Sequence, residues 1–329
     1  MEELIQINNL TKEFPVEKSL VDLLLSGFRQ RMVHAVDDVS FTIKKGEVLG
    51  LAGESGSGKS TIGRLILRLL EASRGEIKYK GKNILSYSNR EMEHLREKIQ
   101  MVFQDPNSSL NPRMTVGQGI GHPLKIHGMK NPGEREGYVL DIMEKVGLQP
   151  ASFLYRKYPH QVSGGQAQRV VLARALITNP DFIVADEPIA MADVSVRALI
   201  LELMKKLKTE FDLTYLFITH DLATAKYLCD RIAIMYLGRI VEIGTRDELF
   251  KYFHHPYTEA LLAAVPVPDP HQKRKHAIVR GEIPSAIDPP SGCHFHPRCP
   301  YVMPECKEAR PPLKELSPGH YSACLLDTK

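Results

Sequence analysis

Eight consecutive residues, Gly53-Glu54-Ser55-Gly56-Ser57-Gly58-Lys59-Ser60, complete the pattern G-x-x-x-x-G-K-[ST]. Its glycines let the backbone wrap a phosphate chain, so that successive N–H groups and the start of a following helix face negative charge. Lys59 adds a positive charge near the terminal phosphates, and the Ser60 hydroxyl, with Thr61 behind it, suits Mg²⁺. Further along, Asp186-Glu187 closes an apolar run. One acid there can hold Mg²⁺ and the next can position water, and a general base at that water is typically worth about 10²–10⁴ in rate. Thr219-His220-Asp221 closes another apolar run, which gives His220 access to a γ-phosphate, and Gln104 carries a neutral amide able to touch both water and Mg²⁺. Each motif alone has a blander reading: a ligand-free glycine turn, an acidic loop start, a hydrogen-bonded loop histidine. All four fixed positions of the first motif are present, so the sequence implies a nucleoside triphosphate site.

A second glycine-rich turn, Val162-Ser163-Gly164-Gly165-Gln166, opens a helix and makes another anion site. Two such segments so far apart in one chain suggest a head-to-tail dimer. Each nucleotide would then lie between the phosphate loop of one subunit and this turn of the other.

The elements that must position these residues follow from the apolar pattern. Val48-Leu49-Gly50-Leu51 reads as a buried strand feeding the phosphate loop, and Ile62, Leu65, Ile66, Leu69 and Leu70 recur at helical spacing after it. Strands are expected at residues 4–14, 41–43, 75–81, 99–103, 182–185 and 215–218, with two short ones flanking Leu237-Gly238-Arg239. Helices are expected at 90–97, 138–146, 166–177, 196–210 and from Asp221. Alternating strands and helices imply a mostly parallel, doubly wound α/β core, with the ligand at the carboxyl ends of the strands. From Asp105 to about Tyr158 proline and glycine punctuate the chain, which suggests an inserted, mainly helical subdomain. The stretch 15–33, with Leu20, Val21, Leu23, Leu24, Leu25 and Phe28, reads as an inserted loop or a short amphipathic helix. Residues 265–280, rich in proline and basic side chains, read as a linker, and the adjacent His254 and His255 as surface residues.

The 329 residues suffice for a large domain and a smaller one, and 43% hydrophobic with 25% charged residues is ordinary for a globular protein. A net charge of +4 is too slight to argue for nucleic acid. The start Met1-Glu2-Glu3-Leu4 lacks the features of a signal peptide, and no apolar run approaches the ~20 residues of a membrane helix. A cytoplasmic protein is expected, with any membrane role acting through a partner.

Of five cysteines, four cluster near the end as Cys293, Cys299, Cys306 and Cys324, spaced C-x₅-C-x₆-C-x₁₇-C. The tail is too small for its own apolar core and so invites a staple. Structural zinc uses tighter pairs. Wider gaps suit an iron–sulfur cluster, and Cys299-Pro300 matches the Cys-Pro ending of ferredoxin runs. Zinc with His294, His296 or His320 in place of a thiolate, and two disulfides, stay open as alternatives.

Taken together, these motifs resemble the ATP-binding subunits of ATP-binding-cassette (ABC) transporters. Walker A is Gly53–Ser60, Walker B ends in Asp186-Glu187, and the signature is Val162–Gln166. Closer still, the chain is similar to the oligopeptide/dipeptide importer group, to the F-type of its two ATPase subunits. That likeness rests on residues 103–112 (FQDPNSSLNP), Tyr158-Pro159-His160, His255-Pro256-Tyr257-Thr258 and residues 292–300 (GCHFHPRCP). The resemblance implies an ABC-type P-loop NTPase core, mostly parallel with an antiparallel β subdomain, over residues 1–255. It further implies a helical subdomain at about 105–165 and a small cysteine-containing extension over 256–329. It implies ATP and Mg²⁺ as ligands, and a [4Fe–4S] cluster on the four cysteines with zinc as runner-up. By the same resemblance Phe14 stacks on adenine, and Lys59 and Ser60 hold phosphate and Mg²⁺. Gln104 links the site to the membrane partner, while Ser163 and Gly165 contact the opposite subunit's γ-phosphate. Glu187 is the base, His220 the γ-phosphate switch, and Asp193 part of a subunit-crossing loop. The implied partners are a related ATPase subunit, two transmembrane permease subunits and, indirectly, an extracellular solute-binding protein. The implied location is the cytoplasmic face of the cell membrane. Two departures stand out: Ala190-Met191-Ala192-Asp193 replaces the usual Ser-Ala-Leu-Asp, and the signature begins with Val162 and carries Ala167. A soluble ABC ATPase working on nucleic acid, or a non-hydrolysing regulatory partner, are the alternatives that these features leave.

Overall fold

Short apolar runs bounded by turn residues set the strands. In the computed structural model, which describes residues 2–16, 31–265 and 281–326, these are β1 (Glu3–Pro15), β2 (Met32–Lys44), β3 (Val48–Ala52), β4 (Arg74–Tyr79), β5 (Lys82–Asn83) and β6 (Ile99–Val102). They continue with β7 (Phe182–Asp186), β8 (Thr214–Thr219), β9 (Arg231–Tyr236), β10 (Arg239–Thr245), β11 (Lys314–Ser317) and β12 (His320–Ser322). The apolar insert from Leu20 to Phe28 and nearly all of the basic, proline-rich linker lie outside the described residues. The chain divides into two compact units, each described by itself. A helical unit comprises Met1–Glu2, Lys44–Val48 and Ser86–Ile218, and a phosphate-loop unit comprises Glu3–Ile43, Leu49–Leu85 and Thr219–Lys329.

In the helical unit β6, β7 and β8 run parallel, with Ile99 opposite Phe182 and Phe182 opposite Thr214. Every residue of β7 and β8 is buried, the continuous pattern of parallel strands rather than the alternation of a half-exposed sheet. All three strands therefore present their carboxyl ends on one edge, followed in sequence by Gln104, Glu187 and His220. The helices Val116–Ile126, Pro132–Lys145, Ala151–Tyr155 and Gly164–Leu176 pack together in this unit. They can approach closely because Gly117 has no side chain: a Cβ there would lie 2.2 Å from the Tyr155 ring. Arg169 Nη1 donates to the Val146 carbonyl at 2.9 Å and satisfies the end of the second helix.

In the phosphate-loop unit one sheet has the order β2-β1-β4-β5, with β4 antiparallel to both β1 and β5. A second run is ordered β11-β12-β10-β9-β3. Here β3 and β9 are parallel and the remaining pairs antiparallel. The C-terminal extension supplies β11 and β12. It also inserts Phe295, 1% exposed, against Tyr236 and Tyr257 with ring centroids 5.3 and 5.4 Å away. The tail is thus held by strand pairing and an aromatic plug on the rest of its unit. His255, expected at the surface, is 1% exposed. Its Nδ1 accepts from Tyr257 N–H at 3.1 Å and caps the helix Pro256–Ala263.

Candidate functional site

The phosphate loop leaves β3, whose five residues are all buried, and feeds the helix Lys59–Ile66, which buries Ile62, Leu65 and Ile66. Two glycines are required by close approach. A Cβ on Gly53 would lie 2.1 Å from the Met235 carbonyl oxygen of β9, and one on Gly58, at φ +104°, 2.1 Å from the Ala35 carbonyl oxygen of β2. The loop is therefore pressed onto two strands at its ends, while Ser55 and Gly56 at its crest are exposed. Lys59 folds back over the loop: Nζ donates to the Gly53 and Glu54 carbonyls, both at 2.8 Å, and to Ser57 Oγ at 3.3 Å. Ser60 and Thr61 sit half-buried in the first helical turn.

Two groups from far along the chain also reach this loop. Arg298 grips the Glu54 carboxylate with both Nη atoms, at 2.7 and 3.0 Å, and the Glu54 N–H donates to the Tyr257 hydroxyl at 2.8 Å. Residue type and spacing alone point to neither residue, although both lie in stretches that carry the family resemblance. Two signals were available. An anion-binding loop that contains a glutamate needs a cation nearby, and an arginine set in an aromatic, proline-rich segment needs a carboxylate.

Of the other expected site residues in this unit, Phe14, next to last in β1, is half-buried, with Lys12 Nζ 4.8 Å from its ring centroid. His220 is exposed on a turn fixed from both sides. Thr219 Oγ1 accepts from Asp221 N–H at 3.0 Å, and the Asp221 carboxylate accepts from Ala223 N–H and Thr224 Oγ1 at 2.9 and 2.7 Å.

In the helical unit the carboxyl edge brings two expected residues together: Gln104 Nε2 donates to Glu187 Oε2 at 3.0 Å. Glu187 takes the left-handed conformation, φ +45°, and its N–H donates to the Ile218 carbonyl at 3.0 Å. A non-glycine residue held there stores backbone strain, which concentrates at functional sites. Asp186, one residue earlier, is 4% exposed. In the signature turn Ser163 and Gln166 form a reciprocal capping box, with Gln166 N–H donating to Ser163 Oγ at 3.3 Å and Ser163 N–H to Gln166 Oε1 at 2.9 Å. Gly164 is exposed beside them, and a Cβ on Gly165 would lie 3.1 Å from Val196. Asp193 is exposed at the start of the helix Val194–Phe211 and makes no side-chain cap bond, while Arg197 Nε donates to the Ala192 carbonyl at 2.8 Å.

Two stretches of the chain match known families. Residues 36–190 match the family described as ABC transporter, and residues 241–306 match the oligopeptide/dipeptide transporter, C-terminal region. The chain is 48% identical to YkfD of Bacillus subtilis strain 168, over 94% of this chain and 95% of that one. To the oligopeptide transport ATP-binding protein AppF of the same organism it is 46% identical, covering 99% and 98%. The chain belongs to the ABC transporter family of ATP-binding proteins. Solved structures agree. The dimeric ATP-binding cassette MJ0796 in a post-hydrolysis state with ADP and Pi aligns at TM-score 0.64 and 30% identity, over 74% of this chain and 99% of that one. CbiO1 of Clostridium perfringens, part of an ABC transporter complex, aligns at TM-score 0.63 and 29% identity, over 76% and 91%. The ABC-type P-loop core with a helical subdomain is therefore as the motifs imply.

The iron–sulfur expectation is overturned. Cys293, Cys299, Cys306 and Cys324 are all described. Among the described residues no group of three or more His, Cys, Asp or Glu side chains could hold a metal ion, which removes the [4Fe–4S] cluster and the zinc alternative together. Burial pushes the Cys293 thiol up to about 11 and raises Cys299 and Cys324 as well, with repulsion from neighbouring thiolates adding to it. No disulfide joins any of the five cysteines among the described residues, so the disulfide alternative falls too. Spacing misled because the tail needs no staple of its own.

Proposed function

We propose that this chain is the ATP-hydrolysing subunit that energises import of peptides, or of a related solute, through a membrane permease. The observation that carries the hydrolytic part is the Gln104–Glu187 pair at the carboxyl edge of parallel strands. The cargo reading is supported by relatives described as oligopeptide transport proteins and by the transporter C-terminal match. Among the described residues no helix is long and apolar enough to cross a membrane, and in this reading the permease is a separate chain. Its ATPase subunit would work at the cytoplasmic face, paired with a related ATPase subunit. The domain reading remains a cassette over 1–255 with an extension over 256–329.

In this reading the loop N–H groups and Lys59 bind the triphosphate, and Phe14 stacks on the base. Glu187 accepts the proton of the attacking water, oriented by Gln104, and His220 contacts the γ-phosphate. Ser163, Gly165 and Asp193 serve the partner's nucleotide. Ser60 Oγ in one unit, and the Gln104 amide oxygen and buried Asp186 carboxylate in the other, would each offer Mg²⁺ a hard oxygen, the donor type it prefers. When bound, that ion neutralises charge on the phosphates. Replacing Glu187 with Gln keeps shape and removes the base. ATP binding is retained, turnover falls by about 10² or more, and the ATP-bound dimer accumulates on size exclusion. Unchanged turnover would remove Glu187 from this role.

A regulatory, non-hydrolysing role is favoured by one observation. Ala190 and Ala192 bring no hydroxyl to the Asp193 loop, so the partner's site loses a contact. ATP turnover by the wild-type assembly, measured against one with the partner's catalytic glutamate replaced, separates the two readings.

A further inference from the structure

Glu54 is the variable position of the phosphate loop nearest its start, and both its backbone and its side chain are held by the C-terminal extension. The Arg298 fork is itself immobilised. Its side chain is 9% exposed, lies 5.7 Å from the Tyr236 ring centroid and 5.8 Å from that of Phe295, and has Nη1 3.5 Å from the Tyr236 hydroxyl. The Tyr257 hydroxyl fixes the peptide plane between Gly53 and Glu54. The Gly53 and Glu54 carbonyls are the two backbone acceptors of Lys59 Nζ. An unbroken set of contacts thus runs from Arg298 and Tyr257 through residue 54 to the lysine ammonium. The pair also offsets a carboxylate that would otherwise stand uncompensated in a loop built to bind anions.

We propose that the extension tunes the phosphate loop, with Arg298 and Tyr257 acting as positioning residues for ATP through Glu54 and Lys59. Two-pronged guanidinium–carboxylate pairing is geometrically strict, so it transmits the placement of the extension to the loop more tightly than a single contact would. This rests on the reading of Gly53–Ser60 as the ATP site.

The test is titration calorimetry of Mg-ATP against the full chain, alongside steady-state ATPase of the assembled transporter. The variants are Glu54→Gln, Arg298→Gln, Tyr257→Phe and the Glu54→Gln/Arg298→Gln double. Each single change raises Kd and KM by about 3–10-fold, the scale of one net hydrogen bond, with kcat at saturating ATP nearly unchanged. The double variant binds no more weakly than the poorer single, because the pair acts as one. Arg298→Lys recovers part of the loss. Tyr257→Phe preserves the aromatic packing and so reports even if Arg298→Gln folds badly. Wild-type Kd in the single variants, with or without a lower Tm, would overturn the proposal, as would losses that multiply in the double. Lys59→Ala is the control. If it binds ATP as wild type does, the ATP reading itself fails. If it abolishes binding while the other variants are normal, only the role of the extension fails.

Discussion

Tyr215 ends its side chain in the core of the helical unit, 0% exposed, with a hydroxyl that has no hydrogen-bond partner among the described residues. Burial raises its pKa, so it stays a neutral donor with nothing to donate to. An orphaned buried polar group costs about 1–3 kcal/mol. Tyr215→Phe is therefore expected to stabilise the chain by about 1 kcal/mol, read as a higher urea midpoint with unchanged slope. A lower midpoint would mean that the hydroxyl does bond. At this scale the sequence is most legible where residue type alone decides chemistry, as it does at Lys59, Glu187 and Gln104. Arg298 and Tyr257 are harder to read, because the two cues, a glutamate in an anion-binding loop and an arginine in an aromatic segment, lie more than two hundred residues apart and no local pattern joins them. The left-handed Glu187 was equally invisible, since nothing in the word Asp-Glu states a backbone angle.

Among the elements, the strands of the parallel core were read nearly to the residue, because fully buried strands are unbroken apolar runs. The helix Val116–Ile126 was not. The insert reads as mainly helical, but three glycines and Pro123 obscure this helix within it, although Thr115 and Gln118 spell a capping box that the structure forms. Glycine here serves packing rather than flexibility, and two substitutions of opposite sign separate those roles. Gly117→Ala drives a methyl into the Tyr155 ring and should cost about 1–3 kcal/mol, the range of overpacked cores. Gly119→Ala, with nothing within 4 Å of its Cβ, should stabilise by about 0.5–1 kcal/mol through helix propensity. Denaturant unfolding of both variants checks this. If the two shift the midpoint alike, Gly117 is not a packing glycine.

Across the whole chain, the cysteine tail was the largest misreading, and its cause was to treat residues 256–329 as a segment that must hold itself together. The structure instead sews β12 onto β10 and buries a polar network at the seam. Glu242, 0% exposed, accepts from His254 N–H at 2.8 Å and His255 N–H at 3.0 Å, and meets His320 Nε2 at 2.8 Å. His254 Nδ1 lies 3.1 Å from Ser322 Oγ. Burial alone would raise the Glu242 carboxyl, but these hydrogen bonds together hold it below the usual range. Burial lowers His255 to about 4, partly opposed by the Glu242 charge and reinforced by His254. Both groups make the fold sensitive to acid. His255 is neutral when folded, so its contribution is complete above pH 6.5 and declines as pH falls toward 4, where the unfolded chain gains a proton first. That window is worth roughly 3 kcal/mol at 1.36 kcal/mol per unit. Glu242 contributes above its unfolded value near 4.5, and its share is lost as pH drops below that. Unfolding free energy measured by urea from pH 7 to 4 should therefore fall steeply below pH 6.5. In His255→Asn, which retains a side-chain acceptor for the Tyr257 N–H, the portion between 6.5 and 4.5 should flatten. An equally steep loss in that variant would place the acid sensitivity outside this seam.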